Sequence, residues 1–237
     1  MTVARSRGVV LGMVLAGLLA AACSMVQPTS APLGTEQNPV KLALAPGTDP
    51  QKVLAGGQPL LKLLEAETGL RFKLSVPTSY AATIEAMGTH NLDVGWLSPL
   101  AYVLAHERVG AEALAANVRA GSTTSSGQVV VRAQREGAAL SGTVTPEVAE
   151  QRRVIAGMDP IPNDVVGIRR GVLPDLDQKL RAGLLKVAAS PAGATALRDL
   201  YGIEGLGPVA DAEFEPLRAM VQVLDLDLDA EIAPARP

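Results

Sequence analysis

The sequence has almost no cysteine and few aromatic side chains. One Cys in 237 residues excludes a disulfide framework, a zinc ribbon and an iron–sulfur site, each of which needs several thiolates. With 2 Phe, 3 Tyr and 1 Trp, a core has to be built from Ala, Val and Leu, and each ring stands out. An excess of positive charge is also missing. The chain has 21 Lys+Arg against 24 Asp+Glu, a formal net charge of -3. Phosphate-backbone binding needs a basic face that releases counterions, so no nucleic-acid partner is expected. The two histidines, His90 and His106, have no metal-ligand spacing and read as surface or helix-end residues; no metal or cofactor is expected. G-x-S-x-G, H-E-x-x-H and P-loop patterns are absent, which argues against an enzyme. What is present is 48% hydrophobic and 19% charged residues, enough apolar surface for a folded body.

The chain opens with Arg5 and Arg7, followed by an uncharged apolar run from Val9 to Ala22. That run is too short for a membrane-spanning helix and reads as a signal peptide over residues 1–22. It ends in Ala20-Ala21-Ala22-Cys23, which resembles the lipobox of bacterial lipoproteins, with Cys23 as the lipidated N-terminus. Ala20 departs from the commoner Leu, and the alternative is ordinary cleavage leaving a free thiol. Residues 23–38 are polar and proline-broken and read as a lipidated tether. The protein is therefore expected to be exported and held by a lipid anchor at the cell membrane, facing the periplasm or the exterior.

Beyond the tether, strand and helix signals alternate. Val40 to Ala45, Phe72 to Val76, Asp93 to Leu97, Ala111 to Val118 and Gly127 to Ala133 read as strands. Thr48-Asp49-Pro50, Thr78-Ser79 and Ser98-Pro99 supply the polar cap, in two cases followed by proline, that opens a helix. This alternation predicts an α/β fold of parallel βαβ units. Gln134 to Arg152 is polar and loop-like. Arg153 to Ala156 and Val165 to Arg169 read as strands, and two helices follow, the second ending at Tyr201-Gly202. The closing Leu224 to Asp229 alternates like a strand but carries three like charges, so it reads as a solvated edge or tail.

In open α/β sheets a ligand sits beyond the carboxyl ends of the strands, where helix N-termini also point. Thr48-Asp49, Thr78-Ser79-Tyr80 and Ser98-Pro99 would place unpaired N–H groups and positive dipole ends there, favouring an anion without Lys or Arg. The same residues can equally serve only as caps. Tyr80 adds a phenolic donor at that edge. Trp96 is either a wall of the cleft or core filler.

Several separated blocks resemble one family in order. They are Leu33 to Pro39, Val53 to Leu60, Val76 to Ala82, Asp93 to Tyr102 and Asp159-Pro160-Ile161-Pro162-Asn163-Asp164. They look like the phosphate/phosphite/phosphonate ABC-transporter substrate-binding lipoproteins. The resemblance implies a type II periplasmic-binding fold, two hinged α/β lobes closing on an oxyanion ligand, delivery to an ABC permease in the membrane, and no catalysis. By position, Tyr80 matches the tyrosine that bonds the phosphonate, and Asp164 the carboxylate that holds the ammonium of an aminoalkyl phosphonate. The alternative for Asp164 is a turn-forming Asn-Asp pair. The expected ligand set is Thr78, Ser79, Tyr80, Trp96, Ser98, Ser125 and Asp164. Two departures stand out. Ser125 occupies the place of a second family tyrosine, and the Ser-Thr-Ser-Gly type loop of the second lobe is not found. Between Ala133 and Arg153 lie 19 residues, whereas one βαβ unit needs ~30. The expected organisation is therefore the first part of lobe 1 over 39–132, a truncated lobe 2 remnant over 133–152, and a return to lobe 1 with C-terminal helices over 153–237. Ligand binding is expected to be weakened, and the alternative is a membrane-anchored interaction or scaffold remnant that binds no ligand.

Overall fold

The computed structural model describes residues 31–47, 49–132, 152–224 and 230. The signal peptide, Cys23, Thr48, most of the proposed lobe 2 remnant and the acidic stretch 225–229 lie outside the described residues. The folded body begins at Gly34.

Its strands and helices run β1 (Val40–Ala43), α1 (Pro50–Thr68), β2 (Phe72–Ser75), α2 (Tyr80–Gly88), β3 (Val94–Leu97), α3 (Pro99–Val109) and β4 (Glu112–Val118). Next come the short β5 (Thr124–Ser125), β6 (Gln128–Arg132), β7 (Arg152–Gly157), β8 (Ile161–Pro162) and β9 (Val165–Ile168). The chain continues through α4 (Pro174–Ala189), α5 (Pro191–Tyr201), β10 (Gly205–Gly207), a 3-10 turn at Asp211–Phe214 and α6 (Glu215–Leu224).

The helix starts follow the sequence rules. Asp49 accepts a hydrogen bond from the Lys52 amide, Ser79 from that of Ala82, Ser98 from that of Ala101 and Ser190 from that of Gly193. Each relieves one of the orphan donors of a first turn. The Gly56-Gly57 pair and Pro59, which looked like interruptions, lie inside a continuous α1. Gly57 is buried, and a Cβ there would come within 2.5 Å of Leu44 Cδ1 and 2.9 Å of Leu74 Cδ2. The missing side chain lets the helix lie close on the sheet, which offsets its low helix propensity.

Six strands form the main sheet in the order β10-β4-β9-β3-β1-β2. β1 is parallel to β2 and β3, as the alternation predicts, but β9 runs antiparallel to both β3 and β4, and β10 antiparallel to β4. The expectation of an all-parallel arrangement is corrected here. β9 follows the β6–β7 pair and starts at the edge where β4 ends, so it runs opposite to β3 and β4 and slots between them. β10, the 3-10 turn and α6 are also additions to the two closing helices the sequence suggested. The core holds many alanines around Trp96, Tyr102 and Phe214, the three largest fully buried side chains. Tyr102 packs on Phe214 at a ring distance of 4.3 Å.

Candidate ligand-binding site

Strand direction decides which residues meet. The carboxyl ends of β1, β2, β3 and β4 share one edge, and the antiparallel pairs Leu97↔Val165 and Gly205↔Val118 bring the starts of β9 and β10 to that same edge. The N-termini of α1, α2 and α3 follow β1, β2 and β3 there. Ser79 is 6% exposed. Its Oγ accepts from the Ala82 amide at 3.1 Å, and that of Ser98 from the Ala101 amide at 3.2 Å. Both serines therefore cap their helices, and each hydroxyl keeps one proton to donate. Thr78 is exposed.

Tyr80 is the first residue of α2 and half-buried. Burial, with the Asp164 charge adding to it, pushes its phenol up to about 12, so the hydroxyl stays a proton donor. Asp164 precedes β9 and is half-buried. Burial raises its carboxyl above the usual range, while the Arg119 charge opposes the shift. Asn117 supports it from the end of β4: its amide donates to the Asp164 carbonyl at 2.8 Å, and its Nδ2 lies 3.5 Å from Asp164 Oδ2. The preceding Asn163 is structural. Its Nδ2 donates to the carbonyls of Asn117 and Ser122, both at 3.0 Å, pinning the Asp159–Asp164 loop to the small-residue loop.

Trp96 is 1% exposed. Its Nε1 donates to Asn117 Oδ1 at 3.1 Å, and its ring lies 4.9 Å from that of Tyr201 at 53°. It is a platform beneath the site rather than an open wall. Ser125 is exposed on β5, opposite Ile161 of β8, on the ribbon flanking the Asp164 loop.

Sequence reasoning missed three residues at this edge. Tyr201, the last residue of α5, accepts a hydrogen bond on Oη from the Ala45 amide at 2.8 Å. Burial raises its phenol; the Ala45 amide opposes this, and Tyr80 and the Asp164 charge add to it. Asn117 is buried at the end of β4. Arg119 is exposed, with Nη2 3.4 Å from the Tyr201 carbonyl. The scarcity of rings in this chain was the available signal for Tyr201.

Two shallow cavities, of about 360 and 320 Å³, lie elsewhere, lined by residues such as Gly88, Arg108 and Val109. The first lies at the carboxyl ends of α2 and α3, beside Arg108 and Arg170, and the second runs along α2 at Ala81, Ile84 and Glu85. Among the described residues no cluster of His, Cys, Asp and Glu could hold a metal ion, and no helix is long and apolar enough to cross a membrane.

An edge rich in hydroxyl donors and helix N-termini suits an oxyanion. The family model described as "ABC transporter, phosphonate, periplasmic substrate-binding protein" matches residues 42–143 and 138–214. The chain belongs to this family. Its members are substrate-binding components of transporters, not enzymes. The phosphate-import protein PhnD of Mycolicibacterium smegmatis is 34% identical over 89 residues, covering 37% of this chain and 28% of that protein. The chain thus matches less than a third of that relative's length. Among solved structures, a binding component of an ABC phosphonate transporter from Pseudomonas aeruginosa aligns with TM-score 0.59 and 18% identity, over 81% of this chain and 88% of that one. PhnD1 from Prochlorococcus marinus in complex with methylphosphonate aligns with TM-score 0.58 and 10% identity, over 78% and 98%. At these identities the likeness shows the fold, that of type II periplasmic-binding proteins.

Proposed function

We propose that this protein is the substrate-binding lipoprotein of an ABC importer for phosphate, phosphite or phosphonate, exported and anchored through a lipid on Cys23. The observation that carries the ligand class is the meeting of the Tyr80 phenol, the hydroxyls of Ser79 and Ser98 and the N-termini of α1, α2 and α3 at one sheet edge. Together they offer an oxyanion neutral donors and aligned dipoles. Thr78 and Ser125 extend the donor set at the rim, and Trp96 backs it. Asp164 faces the same region and would take the ammonium of an aminoalkyl phosphonate. With its carboxyl held high by burial, it also tolerates an uncharged substituent in the protonated form. Delivery is to a membrane permease.

The lobe organisation is part of this reading. β6 and β7 pair with each other, Arg132 opposite Arg152, outside the six-stranded sheet, and the stretch 133–151 between them is shorter than the ~30 residues of one βαβ unit. A closing clamp so reduced would leave the oxyanion partly facing water, with fewer donors to hold it after desolvation. Weak binding is therefore expected. That same spacing favours, as the second reading, an anchored interaction remnant that binds no ligand.

A thermal-shift titration of the full-length protein against phosphate, phosphite, methylphosphonate and 2-aminoethylphosphonate separates the two. Ligand at ~100 times its dissociation constant adds ~2.7 kcal/mol, a readily visible shift. A shift with one of the four supports the binding protein and names its substrate. A cooperative melt that none of them moves, up to tens of millimolar, supports the remnant.

A further inference from the structure

Tyr201 is held in an unusual way for a residue that only fills space. It ends α5, and Gly202 turns the chain away in the left-handed conformation with φ 64. The phenol ring rests on Trp96. Its oxygen accepts the Ala45 amide, just past the end of β1 and ahead of α1. A phenol that accepts from a backbone amide still has one proton to give. Among the described residues no acceptor takes it. Trp96, which the ring packs against, is itself locked by Asn117. The hydroxyl is therefore preorientated by one backbone bond and one ring contact, at the edge where Tyr80 and Asp164 also lie.

We propose that Tyr201 is a ligand-binding residue, donating its phenolic proton to the bound oxyanion so that Tyr80 and Tyr201 grip it as a pair. The proposal rests on the oxyanion-binding reading above. Electrostatic coupling of Tyr201 to both Tyr80 and Asp164 supports the proximity, and the raised phenol keeps the donor protonated at any physiological pH. Tyr102, the third tyrosine, already donates to Asp211 at 2.9 Å and serves as an internal control.

The test uses the full-length protein and methylphosphonate, which has no amine to engage Asp164. Trp96, the sole tryptophan, reports binding by its emission, and calorimetry gives the dissociation constant. Tyr201→Phe keeps the ring on Trp96 and removes the hydroxyl. A hydrogen bond to a charged group is strong enough that binding should weaken about tenfold or more. A purely structural role lowers the melting temperature but leaves affinity within about twofold, and that result overturns the proposal. Because the variant also loses the Ala45 bond, a second measurement needs no mutant of the site. In the wild-type chain carrying 3-fluorotyrosine, saturating methylphosphonate should move two of the three fluorine resonances and leave Tyr102 in place. An unmoved Tyr201 resonance at saturation overturns the proposal alone. No binding by the wild type overturns it together with the oxyanion reading.

Discussion

Asp93 joins three strands at the edge opposite the site, and Asp93→Asn is a demanding test of how the sheet is held. Its side chain is 3% exposed and that of Arg169 13%, with Oδ1 and Nε 2.8 Å apart. The other oxygen accepts the Lys41 amide at 2.9 Å, and the Arg169 amide donates to the Asp93 carbonyl at 2.9 Å. The one carboxylate therefore ties β1 to β3 and, through Arg169, to the end of β9. Asparagine has the same shape but one acceptor oxygen, so its amide group must face either the Lys41 N–H or the Arg169 Nε–H as donor against donor. Arg169 also loses its counter-charge in a place where water reaches it poorly. Removing one partner of a buried pair costs ~3–5 kcal/mol; because the guanidinium keeps some water contact and a bond to the Arg170 carbonyl at 3.1 Å, the lower end applies, ~3 kcal/mol. With a urea slope of ~2 kcal/mol/M, the midpoint should fall by ~1.5 M. The double variant D93L/R169M removes both charges and should recover part of the loss, short of wild type by the ~1 kcal/mol cost of the Lys41 amide left without its acceptor. Urea melts followed by Trp96 fluorescence and by far-ultraviolet dichroism measure both. A midpoint for D93N within ~0.3 M of wild type would refute the reasoning, because it would mean that the pair contributes no more than a surface one.

Two further outcomes follow from single positions. Gly193→Ala should lower stability by ~2–3 kcal/mol in the same urea melt, because its Cβ would overlap the Val187 carbonyl oxygen across the α4–α5 junction, and backbone cannot step aside as a side-chain tip can; a loss below ~0.5 kcal/mol would show that the junction is looser than described. Asp164 has its carboxyl raised by burial in the folded state, so its contribution to stability is present at acid pH and is lost as pH rises above the ordinary carboxylate range. The melting temperature of Asp164→Asn minus that of wild type should therefore grow between about pH 4 and about pH 8, and a difference that stays flat across that range would contradict it.

Much of the fold was legible because local rules and tertiary packing agree in the first half of the chain. Ser79, Ser98 and Ser190 each start a helix where a capping side chain precedes a suitable first turn, and β1, β2 and β3 stand within a residue or two of where short apolar runs end in turn residues. The misreadings have physical causes. α1 passes through Gly57 because closeness to Leu44 and Leu74 outweighs propensity, and no local signal carries that information. The antiparallel β9 depends on the path of a distant excursion, which hydrophobic pattern alone does not encode. β10 is the three-residue run Gly205-Leu206-Gly207, too short and too rich in glycine to read as a strand without β4 beside it.

The site divides along the same line. Tyr80 and Asp164 are candidates that the sequence itself offered, because they stand beside strong turn and cap signals and resemble a family motif. Tyr201 lies 37 positions beyond Asp164 at the end of a helix, where a tyrosine ordinarily marks only the last turn, and nothing nearby says that Ala45 will offer its amide to it. Asn117 sits in the run Glu112 to Val118, where its neighbours read as a plain buried strand. Yet it is the hinge of the arrangement: its Oδ1 receives Trp96, its Nδ2 approaches Asp164, and its carbonyl receives Asn163. Asn117 thus ties the ring that supports Tyr201 to the backbone of Asp164 and to the Asn163 side chain at once. Trp96 and the Asp164 segment therefore cannot move independently without leaving a buried polar group unpaired. That coupling is a property of contacts between β3, β4 and β9, strands whose order in the sheet differs from their order in the chain.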